Sequence, residues 1–115
     1  MLKERKIKID FFSYHCYEKT PEGMKNAIDT ANMWLEKNGY TDIETILNEW
    51  NYIKGWVGKE FTYSMKAIAG LKGSSFLAAV MCMAHATDLS MLMYYDARPC
   101  TYIHRRRRAR RRERY

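Results

Sequence analysis

The sequence predicts an α/β fold in which three parallel strands alternate with helices in the order β-α-β-α-β. Three observations predict it. Apolar runs recur around Ile9, Ile43 and Met91, stretches long enough for helical crossovers separate them, and each run turns polar at its end. Continuously apolar strands joined by crossovers of about a dozen residues or more indicate parallel strands covered by helices.

The first strand is expected from Ile7 through Tyr17. Ile9, Phe11 and Phe12 open it and Ser13-Tyr14-His15-Cys16-Tyr17 close it. Thr20-Pro21 then starts a helix, with Thr as N-cap and Pro at the first helical position. Met24, Ala27, Ile28, Ala31, Trp34 and Leu35 recur at helical spacing and form one apolar stripe, which Asn38-Gly39 ends. Asp29 and Glu36 fall off that stripe and are read as solvated, while Glu18 and Glu22 suit the helix start. The second strand is expected from Ile43 to Glu49. After a Gly- and Trp-containing loop, Asn51 to Lys59, a helical segment begins near Phe61 and passes Met65, Ile68 and Leu71, with Gly70 and Gly73 as interruptions. Ser74-Ser75 caps a further helix, Phe76 to about His85, apolar nearly all round and so expected to be buried on most sides. The third strand runs from Ser90 to Tyr95 and stops before Pro99.

Charge and cysteine content bound the function. Residues 105–115 hold eight arginines and one glutamate, which is the whole formal charge of +7, so the rest of the chain is neutral. Eight arginines can release counterions from phosphates, and a nucleic-acid-binding arm on a small α/β module is the alternative reading. A neutral body with no basic face and a tail without interleaved aromatics weigh against it. An arginine-saturated stretch is also what an out-of-frame read of GC-rich DNA gives. The expected division is therefore 1–102 as the α/β body and 103–115 as a disordered tail. Cys16, Cys82 and Cys100 form no paired motif, and with His15, His85 and His104 they show no metal-ligand spacing, so no metal and no cofactor is expected. Cys82, between two methionines, reads as a small core residue. No apolar segment follows the charged N-terminus, so no signal peptide is expected and a cytoplasmic location is the default. The longest apolar run is too short to span a bilayer.

The chemistry concentrates at the strand ends: Tyr14, His15 and Tyr17, then Asn48 and Glu49, then Tyr95, Asp96 and Arg98. Ligands of parallel α/β folds bind at the carboxyl ends of strands. Asn48-Glu49-Trp50-Asn51 joins amides, an acid and an indole, a combination suited to carbohydrate. The acid attacks or protonates at an anomeric carbon, amides hold hydroxyls and the indole stacks on the ring. The plainer alternative is that Glu49 opens a polar loop. Asp96 either lines the same cleft or pairs with Arg98.

The segments Asp10-Phe11-Phe12-Ser13-Tyr14-His15-Cys16-Tyr17, Thr45-Ile46-Leu47-Asn48-Glu49-Trp50-Asn51 and Met91-Leu92-Met93-Tyr94-Tyr95 resemble the last strands of glycoside hydrolase family 39, the β-xylosidase-like enzymes of the retaining clan A. The resemblance covers roughly residues 8 to 100. It implies a partial (β/α)8 barrel, its last three βα units, with these strands as six, seven and eight. It implies that Glu49, in Glu49-Trp50-Asn51, is the nucleophile. His15 and Tyr17 match the His-x-Tyr pair of strand six, which contacts sugar hydroxyls or the nucleophile. Asn48, Trp50, Tyr95 and Asp96, from the same strand-end clusters, complete the candidate substrate-binding set. Two departures stand out. Asn48 replaces the usual Thr, and Asn-Glu is also how the acid/base motif of strand four reads; Tyr94-Tyr95-Asp96 stands where strand eight often presents a stacking Trp. The resemblance places the acid/base carboxylate on strand four, which these segments do not include, so the polypeptide alone is expected to be inactive. The expected partners are a carbohydrate substrate and either a second copy or an N-terminal barrel fragment.

Overall fold

The computed structural model describes residues 7–97. Six elements follow one another: β1 (Phe11–Glu18), α1 (Pro21–Lys37), β2 (Glu44–Tyr52), α2 (Gly58–Ile68), α3 (Leu71–Ala84) and β3 (Met91–Tyr94). The strands form one sheet in the order β1-β2-β3, and both pairings are parallel. The expected α/β class and β-α-β-α-β order hold, with two helices in the second crossover. The arginine-rich segment 103–115 and Arg98, the expected partner of Asp96, lie outside the described residues.

Local chemistry sets the ends of α1. Thr20 is the N-cap, its Oγ1 accepting from the Gly23 amide at 3.1 Å, and Pro21 occupies the first turn. Asn38 is the C-cap. Met24, Ile28 and Leu35 are buried, whereas Trp34, expected on the buried stripe, is exposed and meets Phe12 at 6.0 Å between ring centroids. Asp29 takes the ammonium of Lys25 at 2.6 Å on the solvent side.

The second crossover differs from expectation. α3 begins at Leu71 rather than Phe76, and Gly73 lies inside it. A Cβ at Gly73 would sit 2.5 Å from the Ile68 carbonyl oxygen and 2.6 Å from Ile68 Cα. The missing side chain lets α3 turn back against the end of α2 at a bend of 75°; it does not interrupt the helix. The burial of α3 is also one-sided. Gly73, Phe76, Val80 and Ala84 face the core, while Met81 and Cys82 are exposed, so Cys82 is not a core residue. No single described helix is long and apolar enough to cross a membrane.

The core lies on one face of the sheet. Met24 and Ile28 of α1, Leu47, Trp50 and Tyr52 of β2, Ala67 of α2, and Phe76 and Val80 of α3 form its centre. Tyr14 and Cys16 of β1 and Leu92 and Tyr94 of β3 pack against it. Side chains alternate along a strand, so Phe11, His15 and Tyr17, and likewise Met91 and Met93, belong to the opposite face.

β2 breaks this alternation once. Tyr14 pairs with Leu47 but His15 pairs with Glu49; against β3, Leu47 pairs with Leu92 and Trp50 with Tyr94. The extra residue in this stretch is a β-bulge, which reverses which face later residues occupy. Leu47 and Trp50 consequently share the helix-facing side though they are three apart.

β3 is short and is clasped by β2 at both ends. At its start the Ser90 amide donates to the Thr45 carbonyl at 2.9 Å, and the Thr45 amide donates to Ser90 Oγ at 3.2 Å. The Thr45 hydroxyl donates to the Asp88 carbonyl at 3.2 Å. At its end the Asn51 side-chain amide donates to the Tyr95 carbonyl at 2.7 Å, and the Tyr95 amide donates to the Trp50 carbonyl at 3.1 Å.

Candidate active site at the carboxyl ends of the strands

Glu49 stands on the helix-free face, next to His15 in the β1–β2 register. The Tyr17 hydroxyl donates a hydrogen bond to Glu49 Oε1. His15 Nδ1 lies 3.5 Å from Oε2. The carboxylate is therefore approached by a donor at one oxygen and an imidazole near the other. Its side chain is 26% exposed, so it is restrained yet open to a ligand.

Burial, followed by the hydrogen bond to Glu49 and that carboxylate's charge, pushes the Tyr17 phenol well above its ordinary value. Tyr17 is thus a donor throughout the neutral range. Tyr95 and Asp96 contribute to the same rise, so β3 brings its end to the same place. Tyr95 is exposed and Asp96 half-buried, next to a cis Tyr95–Asp96 peptide. Asn48, in the bulge region, is exposed.

Trp50 requires a correction. Its expected role was to stack on a sugar, but the indole is 1% exposed and belongs to the core. It meets Tyr94 edge-on at 5.1 Å and Phe76 at 6.3 Å. The bulge is the reason, since it turns Glu49 outward and the next residue inward. Packing outweighs the cost of this choice. Trp50 Nε1 has no hydrogen-bond partner among the described residues, a loss of about 1–3 kcal/mol, against about 3–5 kcal/mol for truncating such a ring.

Asn51 is likewise structural rather than a holder of hydroxyls. It is buried, with its Nδ2 engaged by Tyr95 and its Oδ1 accepting from the Tyr52 amide at 2.7 Å and the Tyr94 hydroxyl at 3.2 Å. Sequence reasoning missed Trp56, in the loop after β2. Its ring meets Tyr17 edge-to-face at 4.9 Å. The available signal was a large aromatic between two glycines in a loop following a strand end. Among the described residues no group of three or more His, Cys, Asp or Glu side chains is placed to hold a metal ion.

The fold and site together define a parallel α/β unit with a restrained carboxylate at the carboxyl ends of its strands. No protein-family model matches the chain, and no curated protein matches it. Among solved structures, a glucosidase from Croceicoccus marinus superposes with a TM-score of 0.62 at 18% identity. The match covers 84% of this chain and 19% of that one, so the chain spans about a fifth of the glucosidase it resembles in fold.

Proposed function

We propose that the chain is part of a retaining glycoside hydrolase related to the β-xylosidase-like enzymes of family 39, built as the last three βα units of a (β/α)8 barrel. Glu49 is its nucleophile. The observation that carries this reading is the carboxylate of Glu49 held between Tyr17 and His15 at the carboxyl ends of parallel strands. The glucosidase likeness in fold supports it.

In a retaining mechanism the nucleophile forms a bond to the anomeric carbon as the leaving-group oxygen departs, and a second carboxylate about 5–5.5 Å away protonates that oxygen. Glu49 Oε1 is occupied by the Tyr17 hydroxyl, which leaves Oε2 as the attacking atom. The Tyr17 hydrogen bond orients the carboxylate and spreads its charge, and His15 borders the attacking oxygen and a sugar hydroxyl. Tyr95, Asp96 and Asn48 line the rest of the cleft. The acid/base is supplied by a further polypeptide segment that carries strand four, an N-terminal barrel fragment.

This division of labour is testable with two leaving groups. Departure of dinitrophenolate needs no proton, so a dinitrophenyl 2-deoxy-2-fluoro-β-xyloside is expected to leave a 2-fluoroxylosyl ester on Glu49, detected by peptide mass spectrometry. Glu49→Gln abolishes the label. The same protein is expected not to turn over an unactivated alkyl β-xyloside. A label that survives Glu49→Gln removes Glu49 as the nucleophile.

A further inference from the structure

The site as described holds a carboxylate and hydrogen-bonding groups but has lost the aromatic plate that Trp50 was expected to supply. A second indole lies one ring away. Trp56 is 60% exposed, an unusual state for so large an apolar side chain, and its only described ring partner is Tyr17.

The loop that carries Trp56 is anchored, so the exposure is built in. The Lys54 amide donates to Ser64 Oγ at 2.8 Å, and Ser64 is fully buried. Lys54 Nζ lies 3.5 Å from Glu60 Oε1. Gly55 passes so close to Glu60 that an added Cβ would stand 2.4 Å from its Oε2 and 2.9 Å from its Cβ. The backbone on the N-terminal side of Trp56 is thus tied to α2, while the indole is left against the tyrosine that donates to Glu49. A flat apolar face held beside polar groups suits a ring with an apolar CH face and a polar rim.

We propose that Trp56 is the stacking platform for a neutral pyranoside ring bound next to Glu49, the part expected of Trp50. The proposal rests on the reading of Glu49 as a sugar site, and the two fail differently. The carbohydrate itself can be observed by saturation-transfer difference NMR, with methyl β-D-xylopyranoside as the probe and the full chain as receptor. The unmodified chain is expected to transfer saturation to the axial CH protons of the sugar. Trp56→Ala is expected to weaken apparent binding by about tenfold, since a stacking contribution near 1.4 kcal/mol corresponds to that factor. Trp56→Phe restores most of the transfer, Trp34→Phe leaves it unchanged, and circular dichroism verifies that each variant is folded. Equal transfer to the unmodified chain and to folded Trp56→Ala overturns the role of Trp56 while leaving the sugar site in place. No transfer to the unmodified chain overturns both.

Discussion

Two tyrosines three positions apart on β1 show how the face of the sheet decides a residue's chemistry. Tyr17 gives its hydroxyl to Glu49. Tyr14 points its hydroxyl into the core, where the oxygen is buried without a hydrogen-bond partner among the described residues. Burial, with Cys16 and Asp29 as lesser electrostatic causes, pushes the Tyr14 phenol up to about 12. Removing an unsatisfied buried hydroxyl relieves a desolvation cost, so Tyr14→Phe is expected to leave stability at neutral pH unchanged or raised. At alkaline pH the sign is also fixed. A folded-state value above the unfolded one, about 10 for tyrosine, stabilises fully below that lower value. That stabilisation is lost as pH rises through the higher one. The melting temperature of the unmodified chain is therefore expected to fall more steeply from pH 10 towards about 12 than that of Tyr14→Phe. Parallel slopes would show that Tyr14 ionises as freely in the folded chain as in the unfolded one.

At the level of the elements, the β2 bulge is the decision on which the site depends. With it, Glu49 faces His15 and Tyr17, and Trp50 fills the core. Were Asn48 paired as a regular strand residue, the carboxylate would turn towards Met24, Ile28 and Phe76, where burying an unpaired charge costs several kcal/mol or more. Deleting Asn48 makes the strand regular and leaves Glu49 outward and Trp50 inward, so that variant is expected to keep a cooperative thermal transition by circular dichroism. An alanine inserted between Glu49 and Trp50 turns the indole outward and is expected to abolish it. An insertion variant that melts like the parent would show that strand parity does not set the two faces. Much of this level was legible beforehand. Apolar runs gave the parallel order, and Thr20-Pro21 and Asn38 gave the limits of α1. The bulge was not legible, because no residue in Leu47-Asn48-Glu49-Trp50 has a composition that only a bulge accepts. Adjacency to Glu49 therefore points to Trp50 and passes over Trp56, and adjacency in sequence misleads once the strand parity changes. Gly73 was misread for a related reason, since a glycine that breaks a helix and one that admits a close neighbour look the same in one dimension.

Taken together, the described residues give the sheet one covered face and one open one. The open face exposes Phe11 at 57% and Met91 and Met93 at 45% each. Among the described residues β1 and β3 each present an unpaired edge. Beside β1 runs an open groove lined by Phe12, Tyr14, Ala27 and Trp34. Exposed strand edges next to apolar surface favour association. In size-exclusion chromatography the 13.7 kDa chain is expected to elute as an oligomer. The combined substitutions Phe11→Lys, Met91→Lys and Met93→Lys are expected to shift it towards the monomer. A parent chain that elutes as a monomer at all concentrations would mean that the open face is tolerated by water.

The two clasps on β3 carry a consequence for how the third strand end is held. Thr45 grips the start of the strand and Asn51 its end, and both belong to β2. A one-residue slip of β3 would break both grips at once, so the strand has one admissible seat rather than a range of nearby ones. Tyr95 is in effect placed by β2. A residue inserted within β3 would have to loop out between the clasps, leaving the aromatic at its end where it was.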